Sequence, residues 1–108
     1  PAGRVKIIGG LSRFYCNIVA GSATIDIGNQ AYVNTSGDTV AEDVDSMVDG
    51  LDVDTAGYFT MEGNTAATKL LGGNHKFDSK DGVIIQIKSI AALANDDDVD
   101  GVITYVLD

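Results

Sequence analysis

Apolar and polar positions alternate along this chain in short bursts, each closed within a few residues by glycine, asparagine or a pair of acids. That rhythm predicts short strands joined by turns. Arg4-Val5-Lys6-Ile7-Ile8 alternates and stops at Gly9-Gly10. Phe14 to Val19 predicts a second strand, closed by Gly21. In Ala23-Thr24-Ile25-Asp26-Ile27, the two isoleucines fall on one face and Thr24 and Asp26 on the other, with a turn expected at Gly28-Asn29. Ala31-Tyr32-Val33 and Gly57 to Met61 predict two more strands, and Asn34-Thr35-Ser36-Gly37-Asp38 predicts a turn.

Residues 40–49 change period. Val40, Val44, Met47, Val48 and Leu51 follow a helical stripe. Thr39 and Glu42 have capping-box spacing, and Gly50 suits the residue after a helix. The three valines favour extended backbone, so a strand or an irregular loop stays open beside the helix. One or two helical turns are expected over Thr65 to Leu71. Val83 to Ile90 and Val102 to Leu107 predict strong strands, read as an antiparallel hairpin with the acidic tip Asn95 to Gly101. The second of these strands is apolar on both faces, so something must cover each face.

The pattern predicts a mainly β fold: a small antiparallel sandwich, jelly roll or partly open barrel, with one or two short helices. Its 108 residues fit a single domain, with residues 1–10 available as an interaction arm. A small residue at position 1 suits removal of an initiator Met, and a processed precursor would read the same. Residues 1–30 lack the layout of a signal peptide, and no apolar run approaches the roughly 20 residues that span a bilayer.

Charge narrows the partners. The net charge is −9. Residues 1–13 carry Arg4, Lys6 and Arg13 and no acid, whereas residues 14–68 carry nine acids and no Lys or Arg. Nucleic acid and anionic membranes are not expected, because both select a basic patch. The basic cluster Arg4, Lys6 and Arg13 is the candidate partner-binding segment, suited to an acidic surface of a neighbouring subunit.

Candidate chemistry is sparse. Asp96-x-Asp98-x-Asp100-Gly101 has the spacing of the first half of a calcium-binding EF-hand loop. Position 12 would be Leu107 where that loop needs Glu, and the flanks predict strands, so an EF-hand is rejected. A calcium-binding hairpin loop with Asp96, Asp98 and Asp100 as ligands stands beside the plain reading of a solvated tip. No other cofactor is expected. The acids Asp43, Asp45, Asp49, Asp52 and Asp54 read as a solvated face. His75 is the sole histidine and reads as a loop residue, with a pH response if an interface buries it. Cys16 is the sole cysteine and reads as a buried small hydrophobe made in a reducing cytosol. No nucleophile–base pattern is present, so the chain is not expected to be an enzyme.

The compact size, the expected loss of an initiator Met, lone Cys16, acidic charge, Gly-spaced strands and final hairpin resemble, over the whole chain, small virion structural proteins of tailed bacteriophages. The likeness is to capsid decoration, or cement, proteins. It implies a dimeric or trimeric β-rich protein, made in the host cytoplasm and residing on the virion, that clamps a major capsid protein. It also makes Arg4 to Arg13 the candidate contact with a capsid surface. The competing expectation is a calcium-dependent ligand-binding or adhesion module.

Overall fold

The computed structural model describes residues 1–18, 23–53, 56–61, 69–70, 75–89 and 97–108. Twelve strands run through them in chain order. They are β1 (Gly3–Ile7), β2 (Arg13–Asn17), β3 (Thr24–Asn29), β4 (Tyr32–Val33), β5 (Thr39–Val40) and β6 (Asp43–Asp52). The second half gives β7 (Gly57–Thr60), β8 (Lys69–Leu70), β9 (Lys76–Ser79), β10 (Ile85–Ser89), β11 (Asp98–Val102) and β12 (Tyr105–Leu107). All pairings are antiparallel. Among the described residues, three small sheets, ordered β12–β1–β9, β10–β3–β6–β8 and β11–β2–β7, share the work with a β4–β5 ribbon, and no barrel closes.

One apolar cluster joins the three sheets: Val5 and Ile7 from β1, Phe14 and Cys16 from β2, Ile25 and Ile27 from β3, Met47 and Val48 from β6, and Phe77 from β9. β1, β2 and β3 deliver alternate residues to it, as the period of two requires, whereas β6 delivers the adjacent pair Met47 and Val48. β1 is the middle strand of its sheet, so the inward face of segment 1–10 is committed to this chain's own core.

The expected helix over 40–49 is a strand. β6 pairs with β3, but Ile25↔Leu51, Ile27↔Val48 and Asn29↔Asp43 show residues bulging out of β6 between successive partners. Bulges added to a period of two give apolar spacings of three and four, which mimic a helical stripe. The valines favour the extended form. Gly50 takes φ +66° at one irregularity, and its N–H donates to Asp26 Oδ1 at 2.8 Å. Asp26 is thereby buried, although plain alternation places it in water. The turn expected at Gly28-Asn29 is also absent: both continue β3, and the main chain of Asp43 and Val44 crosses so close to Gly28 that a Cβ would overlap it. Of the second expected helix, Lys69 and Leu70 form β8, and residues 65–68 and 71 lie outside the described segments. Helical structure among the described residues is one 3-10 turn, Gly9–Leu11.

The expected C-terminal hairpin does not form. β10 pairs with β3, β11 with β2 and β12 with β1, so the last two apolar segments serve different sheets. A clasp fixes the corner where the chain passes from β11 to β12. Ser12 Oγ donates to Ile8 O at 2.9 Å and accepts from the Thr104 N–H at 3.0 Å, while Thr104 Oγ1 donates to Leu11 O at 2.9 Å.

Candidate interaction surface at the C-terminal edge

β12 closes one side of its sheet. Ile8 N–H donates to Thr104 O and Asp108 N–H donates to Arg4 O, each at 2.9 Å. Residues 104, 106 and 108 therefore turn their main-chain groups toward β1. The N–H and C=O groups of Tyr105 and Leu107 point off the sheet edge, where no described strand takes them.

The side chains follow the same alternation. Tyr105 is opposite Ile7 and Leu107 is opposite Val5, so both share the inward face that β1 and Phe77 of β9 bury. Val5 and Ile7 are almost wholly buried, yet Tyr105 is 45% and Leu107 74% exposed. The core-facing surface thus runs past the edge of the sheet and stays open. Beside it lies an apolar cavity of about 190 Å³, lined by Val5, Ile7, Phe77, Ile85, Ile103 and Tyr105 among others.

On the outward face of the same sheet, Arg4 is opposite Asp78, and Lys6 lies between Val106 and Lys76. Asp108 approaches Arg4 at 3.5 Å and Lys76 at 3.3 Å. These exposed pairs contribute little stability. Their effect is to make this sheet the least acidic part of a chain of charge −9. The structure separates the three basic residues: Arg4 and Lys6 flank β12, whereas Arg13 stands on the β11–β2–β7 sheet.

Of the proposed calcium ligands, Asp98 and Asp100 lie in a strand and not in a loop. Asp98 and Asp100 project from one exposed face of β11, about 7 Å apart along an extended strand. Asp96 lies outside the described residues. Convergence at loop positions 1, 3 and 5 needs a turn, and here two of those positions are in a ladder with Asn17 and Tyr15. Among the described residues no three His, Cys, Asp or Glu side chains come together as a metal site. Of the other acids, Asp43 and Asp52 are exposed and Asp45 and Asp49 partly buried along β6, and Asp54 lies outside the described residues.

Cys16 is fully buried, and burial pushes its thiol above the ordinary value. It is packing, as its apolar surroundings predict. His75 is half-buried rather than a free loop residue, with its ring 4.5 Å from that of Phe77. Burial lowers its imidazole below 6.5, partly offset by the Asp43 carboxylate. The fold therefore prefers the neutral ring, and below about pH 6.5 the unfolded chain binds the proton more readily. Stability associated with His75 is present above that pH and is lost as the pH falls through it. Thermal melts between about pH 7 and pH 5 should show a steeper decline for the wild type than for His75→Gln. Parallel declines would assign the pH response to other groups.

Comparison with known protein families, with curated proteins and with solved structures returned no match.

Proposed function

We propose that this chain is a non-enzymatic structural subunit that assembles with copies of itself by pairing β12 edges. The carrying observation is that Tyr105 and Leu107 belong to the core-facing side of their sheet and yet lie open. An edge with outward main-chain donors and acceptors is a template for another strand. A second copy suits it on three grounds. The exposed set Tyr105, Val106 and Leu107 is apolar and self-complementary. A two-fold antiparallel register of Val106 on Val106 sets Tyr105 opposite Leu107 of the second copy, and that leucine reaches the mouth of the apolar cavity. Finally, two chains of charge −9 meet with least repulsion where Arg4, Lys6 and Lys76 offset the local acids.

The setting comes from the resemblance to capsid decoration proteins: a virion surface, where an assembled subunit clamps a major capsid protein. The calcium-dependent alternative draws no support from the extended placement of Asp98 and Asp100. Sedimentation equilibrium tests the assembly. A mass twice that of the 11.2 kDa chain, falling toward one chain on dilution, is expected. A lone subunit at every concentration would overturn it.

A further inference from the structure

Away from the β12 edge, two rows of side chains cross the outer face of the β11–β2–β7 sheet. One row is Asp100, Tyr15 and Tyr58; the next is Val102, Arg13 and Thr60. The tyrosine rings lie 5.0 Å apart, tilted by 54°, and the Arg13 guanidinium stands 5.6 Å from the Tyr58 centroid. Tyr58 is 72% exposed. Above the rows runs an open groove of about 540 Å³, bounded by Leu11 and Val102. Among the described residues, neither Arg13 nor Asp100 has a side-chain hydrogen bond or an ion pair.

We propose that this face binds a neutral saccharide, one sugar ring lying on Tyr58 with its hydroxyls reaching Arg13 and Asp100. A sugar ring offers an apolar C–H face to an aromatic ring, and its hydroxyls both donate and accept. Arg13 supplies only donors and Asp100 only acceptors, in adjacent rows on neighbouring strands beside the rings. Charge disfavours anions, cations and apolar protein surfaces here. Asp98 and Asp100 repel an anion, including the phosphates of nucleic acid. The Arg13 guanidinium, 5.6 Å from the Tyr58 centroid, repels a second cation from the exposed ring. A dry, apolar protein contact would strip water from Arg13, Asp98 and Asp100 without pairing them, at a cost of several kcal/mol per ion. A shallow, hydrated sugar site leaves these groups wet.

The full chain is titrated with neutral trisaccharides of glucose, galactose and N-acetylglucosamine, and with a sialylated trisaccharide, while the tyrosine ring resonances are followed. At least one neutral sugar should shift the Tyr15 and Tyr58 signals. Tyr58→Ala should weaken that binding about tenfold or more, equivalent to about 1.4 kcal/mol, and Tyr58→Phe should retain it. Because Tyr58 is exposed, its thermal melt should be unchanged. Failure of every neutral sugar to shift the rings at about 10 mM, binding that survives Tyr58→Ala, or binding of the sialylated sugar alone overturns the proposal. So does a fall in solution mass on Tyr58→Ala, which would assign the face to a protein contact. Leu107→Asp should leave sugar binding intact, which separates this site from the β12 edge.

Discussion

Gly28→Ala is expected to lower the melting temperature by about 15 °C or more. Its added Cβ would fall on the main chain of Asp43 and Val44, which β6 brings across β3 at this point. A flexible side chain in the way can change rotamer; two carbonyl groups held in a sheet cannot. Overpacking commonly costs about 1–3 kcal/mol, and backbone overlap puts this site at the upper end or beyond. For a domain of this size, each kcal/mol is worth about 4–8 °C. Gly57→Ala is the control, since a Cβ there meets nothing within 4 Å. Its melt should stay within about 0.5 kcal/mol of the wild type. Equal losses at the two sites would show that backbone entropy, not the crossing, governs Gly28.

Leu107→Asp is expected to abolish self-association while leaving the isolated fold alone. In the single chain Leu107 is 74% exposed, so a carboxylate there remains in water. In the paired edge the same position meets the opposing Tyr105 beside the apolar cavity, where an unpaired carboxylate is expensive to desolvate. A loss of about 3 kcal/mol, or roughly a hundredfold in dissociation constant, is expected by sedimentation. Thermal stability at high dilution should match the wild type. A variant that melts early even when dilute would instead mean that Leu107 serves the core of its own chain.

Local structure was legible because it depends on neighbours in sequence. Val5 and Ile7, Phe14 and Cys16, and Ile25 and Ile27 alternate, and all point to the core as alternation predicts. Two kinds of feature were hidden. The bulges in β6 have no signature of their own, and their extra residues turned a period of two into a false helical stripe through Val44, Met47, Val48 and Leu51. Strand partnership was hidden too. β10 and the C-terminal strands adjoin in sequence but join β3, β2 and β1, pairings that depend on long-range packing.

The candidate sites show the same division. The two-sided apolar character of residues 102–107 was readable, but its place at a sheet edge was not, and that place is what leaves Tyr105 and Leu107 open. Alternation puts Arg13 and Tyr15 on one face of β2, which a sequence reading can obtain. That Tyr58 and Asp100 flank Tyr15 requires the register of β7 and β11. The Asp96-x-Asp98-x-Asp100 motif misled in the opposite way: its spacing suits a loop, but Asp98 and Asp100 fold into a ladder, where alternate residues separate instead of converging.

Amide hydrogen exchange at Tyr105 and Leu107, followed from dilute to concentrated protein, tests the β12 pairing most directly. These two N–H groups point off the sheet edge in the single chain, so they should exchange freely when dilute and become protected as the edges pair. Protection that never develops there, or that rises with concentration only at other strands, would contradict assembly through this edge.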